Sequence, residues 1–375
     1  MKKKSVFSFI TLSIMFVIAA VGVSFSSGIV DVDHLSKLLS FLFAQTVNVD
    51  PTSIDVTMLF FSFGTVLLAD VPVDDDLTAV AISYKNGKFI ADEVLPYVQV
   101  SKQTFKYRKG DKAESYRIKD TKVGRTSAPN RVTTGWTEVA GITEDDGEDF
   151  PITKADMDNV KAEDQGRLMR NATETILADI LLGRENRVAT LVFGAGNYAA
   201  ANKATLAGTD QFSHASSVPI KKILDAMDVP LLRPNVMVFG SATWSTFRQH
   251  ASIVKATNRN SGDAGAAARQ AVAELFEVDK VLVGMGRYSS AKKGLTPALV
   301  GLWGDFLALL YIPQNINELS ADTFGFTARW GTRLSGQIPD PNIGLRGGVI
   351  IRAGESTKEV IAEADYGYLF SDCIA

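Results

Sequence analysis

The sequence predicts an α+β protein, and three observations carry that expectation. Two short alternating segments, Val98, Val100, Phe105 and Tyr107 in the first and Tyr116, Ile118 and Val123 in the second, flank the turn residues Lys109-Gly110-Asp111-Lys112, as a β-hairpin requires. A long stretch then repeats Val160, Met169, Ala172, Ile176 and Ile180 at close to helical spacing. Beyond residue 188 short apolar strands alternate with helices, and after Pro313 the pattern turns β-rich.

Composition bounds the classes that remain. The 375 residues suffice for one large domain or two ordinary ones. Hydrophobic residues make up 46% and charged residues 22%, which is ordinary for a globular chain. A net charge of −3 argues against a dedicated nucleic-acid-binding domain, which is usually basic. A protein that only encloses DNA need not be basic. Cys373 is the single cysteine, so no disulfide forms within the chain. His34, His214 and His250 lie far apart and lack metal-ligand spacing.

The N-terminus stands apart. Lys2, Lys3 and Lys4 precede an uncharged run over residues 5–30, about the length that spans a bilayer. It reads as a signal peptide or membrane anchor. Two further apolar stretches, 35–43 and 58–68, follow it, and soluble composition begins at Asp70 with Pro72, Asp74, Asp75 and Asp76. Residues 1–69 are therefore expected to be an extension outside the folded product.

The hairpin region is strongly basic, with ten Lys/Arg against three Asp/Glu between Lys102 and Arg131. A two-stranded hairpin is marginal in water on its own, so it needs a surface to lie on. Glu144, Asp145, Asp146, Glu148 and Asp149 form an acidic cluster closed by Pro151. It lacks the alternating ligands and distal Glu of a calcium loop, and reads as a solvated loop or a partner for basic residues. Thr153 and Asp156 resemble a capping box that opens a helix over 152–183, with Gly183 as its stop. About thirty residues make roughly 45 Å of helix, long for a globular domain. Next come a strand at 188–193, a helix at 219–227 and a strand at 236–239. Ser241 is expected to cap the helix carrying Trp244, Phe247 and His250. A helix at 264–276 and strands at 281–283, 306–312, 324–330, 349–352 and 360–364 complete the pattern.

Enzyme signatures are weak. Gly194-Ala195-Gly196-Asn197-Tyr198-Ala199 fits G-x-G-x-x-A, but no acid-ended second strand follows as a dinucleotide site requires. Walker and G-x-S-x-G patterns are absent. Gly240-Ser241 mimics a nucleophile elbow, yet three scattered histidines supply a triad poorly. No cofactor, metal or catalytic residue is expected.

The segment Leu232-Arg233-Pro234-Asn235, the strand after it, Gly240-Ser241, Trp244 and Phe247-Arg248-Gln249-His250 resembles a stretch of tailed-phage major capsid proteins with the Hong Kong 97-like fold. Trp303-Gly304 before an apolar strand is similar to another. The resemblance covers about residues 70–375 and rests on the order of the pieces. It implies an N-arm at 70–96, an E-loop at 97–135 and a peripheral domain at 136–187 around a spine helix. A mixed α/β axial domain at 188–318, return strands at 319–352 and a C-terminal segment at 353–375 would follow. It also implies function: a structural, non-enzymatic subunit that assembles with itself as hexamers and pentamers. The icosahedral shell would enclose double-stranded DNA in the virion after assembly in the bacterial host cytoplasm. Scaffold, portal or protease proteins would be its other partners, and a membrane only if residues 5–30 are retained. The inter-subunit contact candidates are Lys102, Lys106, Arg108, Lys109, Lys112, Arg117, Lys119 and Lys122 on the basic side. Glu144, Asp145, Asp146, Glu148 and Asp149 are those on the acidic side. Encapsulin nanocompartments share the fold and are the alternative. A secreted or membrane-tethered binding protein rests only on residues 1–30, and a nucleotide-dependent enzyme only on residues 194–199.

Overall fold

The protein was analysed as a computed structural model that describes residues 73–110, 117–129, 131, 136–258, 265–292, 294–314, 316 and 322–375. The apolar extension at 1–69 lies outside the described residues. Among those described, no helix is long and apolar enough to cross a membrane.

Among the described residues the first helix is α1 (Asp75–Ser83), capped by the Asp74 carboxylate, which accepts from the Asp76 and Leu77 amides. A short α2 (Ala91–Val94) leads into β1 (Tyr97–Val100) and β2 (Thr104–Gly110). Strands β3 (Trp136–Ile142) and β4 (Glu144–Thr153) follow. Half of the capping box at Thr153 forms: its hydroxyl accepts from the Asp156 amide, while the Asp156 carboxylate accepts from that hydroxyl and not from the Thr153 backbone amide. The box opens only a short α3 (Lys154–Asn159), which ends at the extended Val160.

The long helix is α4 (Gln165–Val192), 28 residues or about 42 Å. This corrects the expected span of 152–183. Gly183 is interior: a Cβ there would meet only Arg187 Nη1, at 3.9 Å. Residues 188–193, expected as a strand, are its last turns, with Val188, Ala189 and Val192 buried. A short apolar run does not separate strand from buried helix by periodicity, and here packing decides.

Two larger sheets organise the rest. The four-stranded sheet has the order β1-β11-β12-β4, built on the long hairpin of β11 (Gly325–Asp340) and β12 (Gly348–Ile361). The strands expected at 324–330 and 349–352 fall on these two, whereas of the one expected at 360–364 only residues 360 and 361 belong to β12 and Ala364 opens a 3-10 turn. The expected boundary at 352/353 therefore falls inside β12. Helix α4 lies on this sheet, burying Ala172, Ile176, Leu177 and Ile180 with Leu77, Ala81, Ile152, Ile351 and Ala353.

The five-stranded sheet has the order β5-β13-β10-β6-β7. Its members are β5 (Lys203–Thr205), β6 (Val236–Gly240), β7 (Lys280–Gly284), β10 (Leu307–Leu310) and β13 (Gly367–Ser371). Every residue of β6 is buried. Val236 and Val238 enter one core, Met237 and Phe239 the other. A strand covered on both faces reads as a continuous apolar run, which is why it is visible in sequence. Helices α5 (Pro219–Met227), α6 (Ser241–Phe247), α7 (Ala251–Thr257) and α8 (Arg269–Phe276) accompany the sheet. The last is shorter than the expected 264–276. Gly240 holds the N-cap position of α6, and Ser241, expected as the cap, makes no side-chain capping bond. A separate hairpin joins β8 (Arg287–Ser289) to β9 (Leu299–Gly301).

Candidate assembly surfaces

The basic hairpin exists, but its second strand lies elsewhere than expected. β2 pairs antiparallel with β3, from Thr104↔Ile142 to Gly110↔Trp136. Residues 117–129 contain no strand; Ile118 is 98% exposed and Val123 51%. The hairpin does not coincide with the segment 97–135: β1 belongs to the four-stranded sheet, pairing in parallel with β11, and the hairpin returns through 136–142. One face of its base is anchored. Phe105 is buried and Tyr107 meets Phe326 edge-on at 5.9 Å. A Cβ at Gly141 would stand 2.5 Å from the Phe105 ring, so glycine admits the aromatic. The other face is polar, with Lys106 paired to Glu138 at 3.1 Å. Lys102, Arg108, Lys109, Arg117, Lys119 and Lys122 are exposed; Lys112 lies outside the described residues.

The acidic cluster is strand β4 rather than a loop. It pairs with β12 from Glu144↔Thr357 to Thr153↔Gly348, a neighbour that carries cations. Asp149 receives two hydrogen bonds from Arg352, both 2.7 Å. Glu144 pairs with Lys358, and Asp146 with Arg187 of α4 at 2.7 Å. The hydrogen bond from Lys358 lowers the Glu144 carboxyl below its usual range, and the one from Arg352 lowers Asp149. Asp146 is raised, because burial outweighs the attraction of Arg187. Asp145 accepts only a long bond from Gln103, 3.5 Å, and Glu148 is exposed. Among the described residues no group of three or more His, Cys, Asp or Glu is placed to hold a metal ion.

Sequence reading missed Arg184 and Glu185, because a charged pair on a helix looks like a solvated face. Both are buried at mid-α4. Glu185 accepts from the Ile90 and Ala91 amides at 3.0 and 2.8 Å and from Trp303 Nε1 at 2.6 Å. Its carboxyl is raised: burial outweighs these bonds. Arg184 binds Asp92, the Leu95 carbonyl and Thr327 Oγ1. Its guanidinium lies 4.1 Å from the centre of the Tyr97 ring. Burial pushes the Tyr97 hydroxyl up to about 12.

Over 307 residues the chain is 45% identical to the major capsid protein of Pseudomonas phage JBD67, a match covering 82% of this chain and 99% of that one. The chain belongs to the phage major capsid proteins. It is also 28% identical over 308 residues to the major capsid protein of Burkholderia phage BcepMu, covering 80% of this chain and 96% of the relative. No family model matches the chain. The fold is shared with a phage-related protein of Bordetella bronchiseptica RB50, with a TM-score of 0.64 and 19% identity over 81% of this chain and 98% of that one. It is the Hong Kong 97-like capsid fold that the sequence resemblance implied.

In this capsid protein the residues that carried the resemblance prove to be structural. Asn235 ties three strands: its amide donates to the Ile312 carbonyl and to Asp279 Oδ2, and its oxygen accepts from the Ile312 amide. A Cβ at Gly240 would lie 1.8 Å from the Gly304 carbonyl oxygen, and one at Gly284 2.1 Å from the Trp303 ring. The two glycines thus let the Trp303-Gly304 loop cross the ends of β6 and β7. The apparent enzyme motifs have other roles. Gly194-Ala195-Gly196 follows a helix end, not a strand, and Asn197 Nδ2 donates to the Leu191 carbonyl there. His250 hydrogen-bonds to Ser217 and Ser252. Its Nδ1 accepts from the Ser252 amide and so caps α7.

Proposed function

We propose that this major capsid protein tiles a closed icosahedral shell of pentamers and hexamers around phage double-stranded DNA, and that it catalyses no reaction. The reading is carried by the match over nearly the whole length of a capsid relative. Assembly would take place in the host cytoplasm with scaffold, portal or protease partners. Residues 70–96 would serve as the N-arm, the β2–β3 hairpin as the E-loop and α4 as the spine helix on the peripheral four-stranded sheet. The five-stranded sheet would be the axial domain. Residues 1–69, apolar and distinct in composition from the soluble sequence that begins at Asp70, would lie outside the mature shell. A membrane contact would arise only if residues 5–30 stayed in place.

The basic hairpin would lie on a neighbouring copy. Residues 117–129 are all exposed and carry Arg117, Lys119, Lys122 and Arg125. Among the five acids proposed as partners, Glu144, Asp146 and Asp149 already hold cations of their own chain. This leaves Asp145 and Glu148 as the better candidates across the interface. Replacing Arg108, Lys109 and Lys112 together by Glu tests the idea. Melting of the unassembled subunit should change by no more than about 0.5 kcal/mol per site. Shell yield should fall, most at low salt, since the Debye length shrinks from roughly 8 Å at physiological ionic strength to about 3 Å at 1 M. Assembly like the parent at every salt concentration overturns the inter-subunit role. The intact mass of particle subunits tests the N-terminus, with a start near Asp70 expected.

A further inference from the structure

We propose that Glu185 is a positioning residue for shell geometry: with Trp303 and the Ile90–Ala91 amides it sets the angle between the two sheets of the subunit, and so the curvature of the particle. The proposal rests on the shell-forming role above and adds to it the residue that determines shape.

The reasoning starts from α4. Its first half buries Ala172, Ile176, Leu177 and Ile180 in the core of the four-stranded sheet. Its last turns bury Val188, Ala189 and Val192 in a second core, where Val98, Phe326 and Ala328 of the four-stranded sheet meet Val236, Val238, Ala308 and Leu310 of the five-stranded sheet. One helix therefore belongs to both. Apolar burial is non-directional, and small rotations or slides of a helix on an apolar surface are weakly opposed. Hydrogen bonds lose strength within a few tenths of an ångström and tens of degrees. Glu185 stands between the two apolar halves, and all three of its partners belong to other elements. Two come from the start of α2, and the third, Trp303, leads into β10. Trp303 is fully buried and wedged against Gly284, so it holds the five-stranded sheet firmly. A buried charged group is seldom the most stabilising choice, and its attested advantage is fixing register at some loss of stability. Any small change of angle at this joint is repeated in every copy of a closed shell, where it alters the radius.

The test uses the full chain expressed in bacteria, with particles imaged by electron microscopy. Glu185→Gln keeps the side-chain shape and an oxygen for the Ile90 and Trp303 donors, but turns an amino group toward the Ala91 amide. Trp303→Phe removes the N–H donor together with the five-membered part of the buried indole, leaving a smaller ring in its place. Ile253→Val, in the separate core beneath the five-stranded sheet, is the control for lost stability. The expected result is folded Glu185→Gln and Trp303→Phe subunits that still assemble, into more than one diameter or into open or tubular forms. Ile253→Val should keep the parent's size. Hydrogen exchange at the Ala91 amide should quicken in Glu185→Gln and stay at the parent rate in Trp303→Phe. Parent-sized particles from both variants overturn the proposal. So does equal broadening by Ile253→Val, or folded variants that no longer assemble at all. Should Glu185→Gln fail to fold, Trp303→Phe decides alone. A parent chain that forms no closed particle refutes the shell reading instead.

Discussion

Asn235 offers a prediction in which an isosteric change does more damage than a deletion. Its side chain satisfies both backbone groups of Ile312, each at 2.8 Å, and donates to Asp279 Oδ2 at 3.0 Å. Ile312 is buried. Asn235→Ala leaves its N–H and carbonyl without partners, at about 1–1.5 kcal/mol each, for a loss near 2–3 kcal/mol. Asn235→Asp restores the acceptor for the Ile312 amide, yet it turns a carboxylate oxygen toward a carbonyl and a second carboxylate. Two unit charges about 3 Å apart repel by up to roughly 5 kcal/mol at an effective dielectric of 20. Exposure of Asp279 reduces this, so a further loss of at least about 1 kcal/mol relative to Ala is expected at pH 7. The gap should close in acid as the new carboxyl pair takes up a proton. Urea unfolding of the unassembled subunit measures both variants, and a midpoint shift without a change of slope isolates stability. An Asp variant as stable as the Ala variant at neutral pH would show that Asn235 does not bridge these strands.

Two glycines should respond with opposite signs. Gly284→Ala forces a methyl to 2.1 Å from the buried Trp303 ring and should cost about 3 kcal/mol or more, read as lost soluble protein; normal yield and melting would refute the cradle. Gly183→Ala, with only Arg187 Nη1 near at 3.9 Å, should raise stability by about 0.5–1 kcal/mol, and a lower melting temperature would contradict an unstrained helix interior. Asp149 has its carboxyl lowered by Arg352. Its support is present above the unfolded carboxyl value and is lost as pH falls through the lowered one. Asp149→Asn should therefore flatten part of the acid limb of the pH–stability curve, and an unchanged limb sinks the assignment. Titrating NAD or ATP should leave the melting temperature where it is; a saturable rise would reopen a nucleotide role for residues 194–199.

Local features were legible in the sequence, and long-range ones were not. The run Val236-Met237-Val238-Phe239 declares a strand buried on both faces. Helix α5 declares itself by a proline at its first position. The partner of β2 was misplaced because nothing within residues 97–123 reveals that residues 136–142 pair with it. Strand β4 was hidden by composition, since Asp and Glu are depleted in strands. What makes it a strand is Arg352 and Lys358, some two hundred residues away. Arg184 and Glu185 were invisible for the same reason: charges on a helix declare themselves as buried only through partners such as Asp92 and Trp303, which the chain brings from afar.

The place of β13 has a consequence for how the subunit comes into being. Residues 367–371 do not sit at a sheet edge; they pair with β10 on one side and with β5 on the other. Until they arrive, β10 has an open flank and β5 has no neighbour. Closing such distant pairings is slow relative to local structure. A nascent chain can thus form α5 or the β11–β12 hairpin early, but must wait for residue 371 to complete the five-stranded sheet. Any product broken off upstream of residue 367 would carry an incomplete core to the protein-quality machinery of the cell rather than a faulty tile to a growing particle.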